Sequence, residues 1–99
     1  METRNLAATI DSKAINVSGE AYVPNSNTTA SLVRTEPQGL NTKILLLDLK
    51  TSRGQGGGAE VFTWVSIAYD EAATKGQFNQ VSLLSSDGPP ATVDVREAA

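Results

Sequence analysis

The chain contains no cysteine and no histidine. The first absence removes disulfides, thiolate nucleophiles and cysteine-based zinc sites together. The second removes histidine acid–base catalysis, Ser-His-Asp triads and histidine-bound metals. Aromatic side chains are scarce, with one Trp, two Tyr and two Phe, so aliphatic residues must supply most of any core. Long apolar runs are missing as well. The longest, Ile44-Leu45-Leu46-Leu47, is far short of the ~20 residues a membrane-spanning helix needs, so no membrane insertion is expected. Residues 1–10 show no basic segment followed by an apolar run, so no secretory signal is read and a cytoplasmic location is expected.

The charge balance is acidic, with eight Lys and Arg against eleven Asp and Glu and a formal charge of −3. The bases, from Arg4 to Arg96, are scattered among acids and form no stripe of the kind that neutralises phosphates. Nucleic acid is therefore not expected as a partner.

What is present is alternation with a period of two. Ile15, Val17, Ala21 and Val23 interleave with Asn16, Ser18, Glu20 and Tyr22, and Ala91, Val93 and Val95 with Thr92, Asp94 and Arg96. Such patterns suit antiparallel strands with one buried and one wet face. Turn formers punctuate them at Asp11-Ser12-Lys13, Pro24-Asn25-Ser26-Asn27, Pro37-Gln38-Gly39 and Asp87-Gly88-Pro89-Pro90. Strands are predicted near residues 6–10, 14–23, 29–36, 42–51, 60–69, 77–85 and 91–97. Residues 71–75 alone have helical propensity, enough for a single turn.

A chain of 99 residues that is 39% apolar can bury one modest core. The expectation is a single all-β domain over residues 1–99, an antiparallel sandwich or barrel-like fold of about seven strands. Seven is also the strand count of an immunoglobulin-like sandwich, although its cysteine pair is absent and Trp64 falls too late for its strand-C tryptophan.

Short motifs carry little chemistry. Gly54, Gly56 and Ala59 loosely match a dinucleotide fingerprint, which needs a helix after the loop to hold the pyrophosphate. A strand pattern from Glu60 to Val65 follows instead, so residues 53–59 read as a flexible glycine-rich loop. Asp48 is followed by Leu49 and Lys50, without the Asp-Thr/Ser-Gly turn that lets paired aspartates meet, and reads as solvent-facing. Asp70, Glu71 and Asp87 lack the spaced oxygen ligands of a calcium loop and read as turn formers. The triplets Asn16-Val17-Ser18 and Asn27-Thr28-Thr29 are glycosylation sequons that short sequences contain by chance. No catalytic residue, metal or cofactor is expected.

The most informative feature is a pair of strands that are apolar on both faces. In the fourth, Leu45, Leu47 and Leu49 share one face, and Ile44 and Leu46 the other. In the fifth, Val61, Val65, Ile67 and Tyr69 oppose Phe62, Trp64 and Ala68. A two-layer fold gives each strand one outer face, so Ile44, Leu46, Phe62 and Trp64 form a candidate interaction face unless the same chain covers them. The function expected is a non-catalytic interaction or structural module, self-associating through that face. One alternative is a small-ligand or carbohydrate platform on Trp64, Tyr22 and Tyr69, with Tyr22 turned away from the core. Another is a protease inhibitor presenting the tract around Arg53 or the loop from Asn25 to Thr29.

Overall fold

A computed structural model describes residues 2–25, 27–54, 62–85 and 88–98. It is all-β: β1 (Thr3–Ile10), β2 (Ala14–Val23), β3 (Thr28–Arg34), β4 (Ile44–Arg53), β5 (Thr63–Ala72), β6 (Gln80–Leu84) and β7 (Ala91–Glu97). The strands form one curled sheet in the order β3-β4-β6-β7-β1-β2-β5, a nearly closed barrel. Four pairings are antiparallel, whereas β1–β7 and β4–β6 are parallel. No helix is long and apolar enough to cross a membrane among the described residues.

Alternation becomes burial strand by strand. Ile15, Val17 and Ala21 on β2 and Leu45, Leu47 and Leu49 on β4 are buried and meet Ile10, Leu32, Ile67, Val81 and Leu83 in the core, and Val23 at the end of β2 is buried too. Val65, Tyr69, Ala91, Val93 and Val95 pack against its rim. Fully burying an aliphatic side chain of this size is worth about 1.5–3 kcal/mol.

Turns form where the sequence has turn chemistry. The Asp11 carboxylate accepts the N–H groups of Lys13 and Ala14, at 2.7 and 2.8 Å, and fixes the β1–β2 hairpin. These bonds hold its pKa below the ordinary carboxylate value. Asn25 is buried and its side-chain oxygen accepts the N–H of Asn27. The helical turn expected over residues 71–75 is replaced by strand and turn. Ala72 pairs with Ala14 at the end of β5, and the Ala73 N–H donates to the Lys13 carbonyl. Continuing an existing ladder costs less than nucleating one isolated helical turn. The chain reverses afterwards, with Gly76 at φ +84°, a region glycine enters without a Cβ clash.

One irregularity matters for the surface. Between Arg4 and Ala7 the β1–β2 register slips, with Arg4 opposite Glu20 but Ala7 opposite Ser18, and Asn5 adopts a φ of 55°. Side chains alternate along a strand, so this extra residue turns Arg4 to the same face as Ala7. Gly19 lies opposite the bulge. A Cβ there would come within 2.6 Å of Leu6 Cδ2 and 3.2 Å of the Arg4 carbonyl oxygen.

Candidate functional site

The outer face of β1, β2 and β5 carries a row of stacked planar groups. Tyr22 stands directly opposite Trp64 in the β2–β5 register, between the buried Ala21 and Val23, so strand alternation turns its ring outward. Its ring centroid lies 4.8 Å from that of Trp64, at 41°, and 4.9 Å from that of Phe62, nearly parallel at 17°. Both spacings fall in the range where aromatic pairs attract beyond simple burial. The Arg4 guanidinium carbon sits 4.1 Å from the Trp64 ring centroid, a cation–π contact.

Arg4 is held in place from below. Its Nε donates to Glu20 at 3.1 Å, and Asn5 Nδ2 donates to the same carboxylate at 2.8 Å. Donation from Arg4, and then from Asn5, lowers the Glu20 pKa from its ordinary value. The row therefore runs Arg4, Trp64, Tyr22, Phe62. Its far end is open: Phe62 is 61% exposed, while Trp64 and Tyr22 are half-buried.

Of the four residues expected to share an interaction face, the structure brings Phe62 and Trp64 together with Tyr22. Ile44 and Leu46 lie on β4, separated from β5 by four strands along the sheet and not beside it. The chain itself reaches back over them. Gln38 Nε2 donates to the Leu46 carbonyl at 2.8 Å, and the Leu46 N–H donates to Gln38 Oε1 at 2.9 Å. A Cβ on Gly39 would meet Leu46 Cδ1 at 3.2 Å, so this loop packs onto the leucine. Ile44 borders a surface hollow of about 400 Å³ with Arg34, Thr42, Lys43 and Phe78. Both Ile44 and Leu46 are half-buried.

Tyr69 does not join the aromatic row. It faces inward on β5 and packs against the core, its hydroxyl donating to Glu71 at 2.8 Å. Desolvation, then that bond, raises its pKa. Asp48 is half-buried and accepts the Thr35 hydroxyl at 2.9 Å, so it does not simply face solvent.

Known proteins add no assignment. The chain matches no family model, no curated protein and no solved structure.

The two candidate inhibitory segments are placed in part. Arg53 ends β4 and the Gly54 N–H donates to the Asn27 carbonyl, whereas residues 55–59 of the glycine-rich loop, and Val61, lie outside the described residues. Asn25 and Thr28 are buried, which ties the ends of the neighbouring loop into the barrel. Among the described residues no group of three or more acidic side chains is placed to hold a metal ion.

Sequence reasoning missed two contributors. Arg4 and Asn5 belong to the site only through the bulge, and an Asn at an irregular strand start is its one sequence signal. Leu40, fully exposed between β3 and β4, also went unmarked, although single exposed leucines are ordinary.

Proposed function

We propose that this protein is a non-catalytic interaction module that binds a second copy of itself through the Tyr22–Phe62–Trp64 face. One observation carries the reading. Three of the five aromatic side chains are spent on one outer surface, stacked on one another, and the end ring is left open to water. Tyr and Trp dominate the energetics of protein interfaces because they bury large area at small entropic cost. Tyr22, stacked on Phe62 and tilted against Trp64, makes with them an apolar ridge, which suits burial against another surface. A two-fold arrangement would place ridge against ridge with the same residues on both sides.

The test is mass in solution by sedimentation from micromolar to millimolar protein, for wild type and for the double variant Phe62→Ser, Trp64→Ser. Concentration-dependent dimers in wild type, lost in a variant with unchanged circular dichroism, are expected. A wild-type monomer throughout, or a variant that associates equally, overturns the reading.

A second reading, a carbohydrate or small-ligand platform, is supported by Tyr22 and Trp64 sharing one outer surface with centroids 4.8 Å apart. Against it, Arg4 covers one face of Trp64 and Tyr22 is flanked by Phe62 and Trp64, which leaves Phe62 as the widest open ring. Tyr69, facing inward, contributes nothing to such a platform. Trp64 emission that shifts with a sugar on a glycan array, at protein concentrations where the chain is monomeric, would favour it.

A further inference from the structure

We propose that the barrel opens along the line between β3 and β5, and that the Arg34–Glu71 ion pair is the latch across it. Every other neighbouring pair of strands around the ring shares a hydrogen-bonded ladder, while β3 and β5 lie against each other at the two ends of the sheet order with none. Following the pairings around the barrel, β3 and β5 run in the same direction. What joins them is side chains. Ala30 and Leu32 from β3 and Val65, Ile67 and Tyr69 from β5 belong to the common core.

At the end of this line Arg34 Nη1 donates to Glu71 at 2.6 Å, and the other oxygen of Glu71 accepts the Tyr69 hydroxyl. Arg34 also pairs with Glu36 at 3.2 Å, so one guanidinium gathers the charges that close this end. A strand edge without a ladder is held by packing alone, which makes it the place where local opening is least costly. Opening here would expose two unpaired strand edges and the inner faces of Leu32 and Tyr69. This inference is independent of the aromatic ridge, which lies on the other face of β5.

Because the chain has no cysteine, a single introduced thiol reports opening cleanly. Leu32→Cys and Ile67→Cys place it, buried, on either side of the seam, and Ala21→Cys places it, also buried, in the β1–β2–β5 ladder. Under conditions where closing outruns chemistry, labelling by a thiol reagent is expected to be at least ~10-fold faster at the seam than at Ala21. Adding Arg34→Gln should speed seam labelling roughly two- to fivefold, the reach of a partly exposed ion pair, and leave the Ala21→Cys rate unchanged. Equal rates at seam and ladder, or equal acceleration of both by Arg34→Gln, overturns the proposal.

Discussion

Strands β4 and β5 begin from the same sequence property, apolar side chains on both faces, and end with opposite fates. On β4 the residues between Arg34 and Ile44 fold back, and the Gln38 amide satisfies both backbone groups of Leu46 as a further strand residue would. On β5 the described chain lays no such tract over Phe62, and the aromatic rings cover one another instead. A two-sided strand is thus not a sign of an interface in itself. The contact face proposed above sits where the described residues lay no segment over the second face.

That contrast can be broken by substitution. The largest effect is expected at Leu47, whose inner face is fully buried: Leu47→Ala should cost about 2–5 kcal/mol in denaturant unfolding. Next comes Gln38→Ala, which strips the side-chain acceptor from the Leu46 N–H and one of two donors from its carbonyl, the Thr35 N–H remaining. A loss of about 1–3 kcal/mol is expected, with greater exposure of the outer face of β4 to a hydrophobic dye. If Gln38→Ala proves neutral, the loop is not what covers that face. Phe62→Ser should cost the monomer no more than about 0.5–1.5 kcal/mol, the loss of its stack on Tyr22, while abolishing association.

The smallest effect is on acid stability. The folded-state pKa values of Asp11 and Glu20 lie below their ordinary values. A lowered carboxyl pKa adds stability that is present above the unfolded-state value and is lost as the pH falls through the folded one. Stability should therefore decline as the pH drops below about 4, and Glu20→Gln should flatten part of that slope. Protonating Glu20 loosens Arg4 over the Trp64 ring, so acid should shift Trp64 emission in the wild type and not in Glu20→Gln. An unchanged acid transition in Glu20→Gln would show that the Arg4–Glu20 bonds are not what steadies the row.

Much of the fold was legible because period-two patterning is a direct consequence of strand geometry. The range 14–23 read from alternation is the observed β2, and 91–97 the observed β7. Leu45, Leu47 and Leu49 point inward as their spacing requires. Pairing between distant strands was not legible, since alternation fixes which face a residue takes but not which strand lies beside it. The parallel β4–β6 and β1–β7 contacts are set by the whole barrel. For the same reason Ile44 and Leu46 could not be told apart from Phe62 and Trp64 as neighbours. The bulge at Asn5 was invisible as well: one extra residue reverses the face of Arg4 without leaving a pattern in composition.

Trp64 is the single tryptophan of the chain and stands in the proposed contact face, so it reports directly on whether that face is covered. Acrylamide quenching of its fluorescence, followed as the protein is diluted from millimolar to submicromolar, is the most direct measurement. Protection at high concentration that gives way to ready quenching on dilution is expected, with Phe62→Ser readily quenched throughout. Quenching that is the same at every concentration, in both proteins, would contradict a self-association surface built from Tyr22, Phe62 and Trp64.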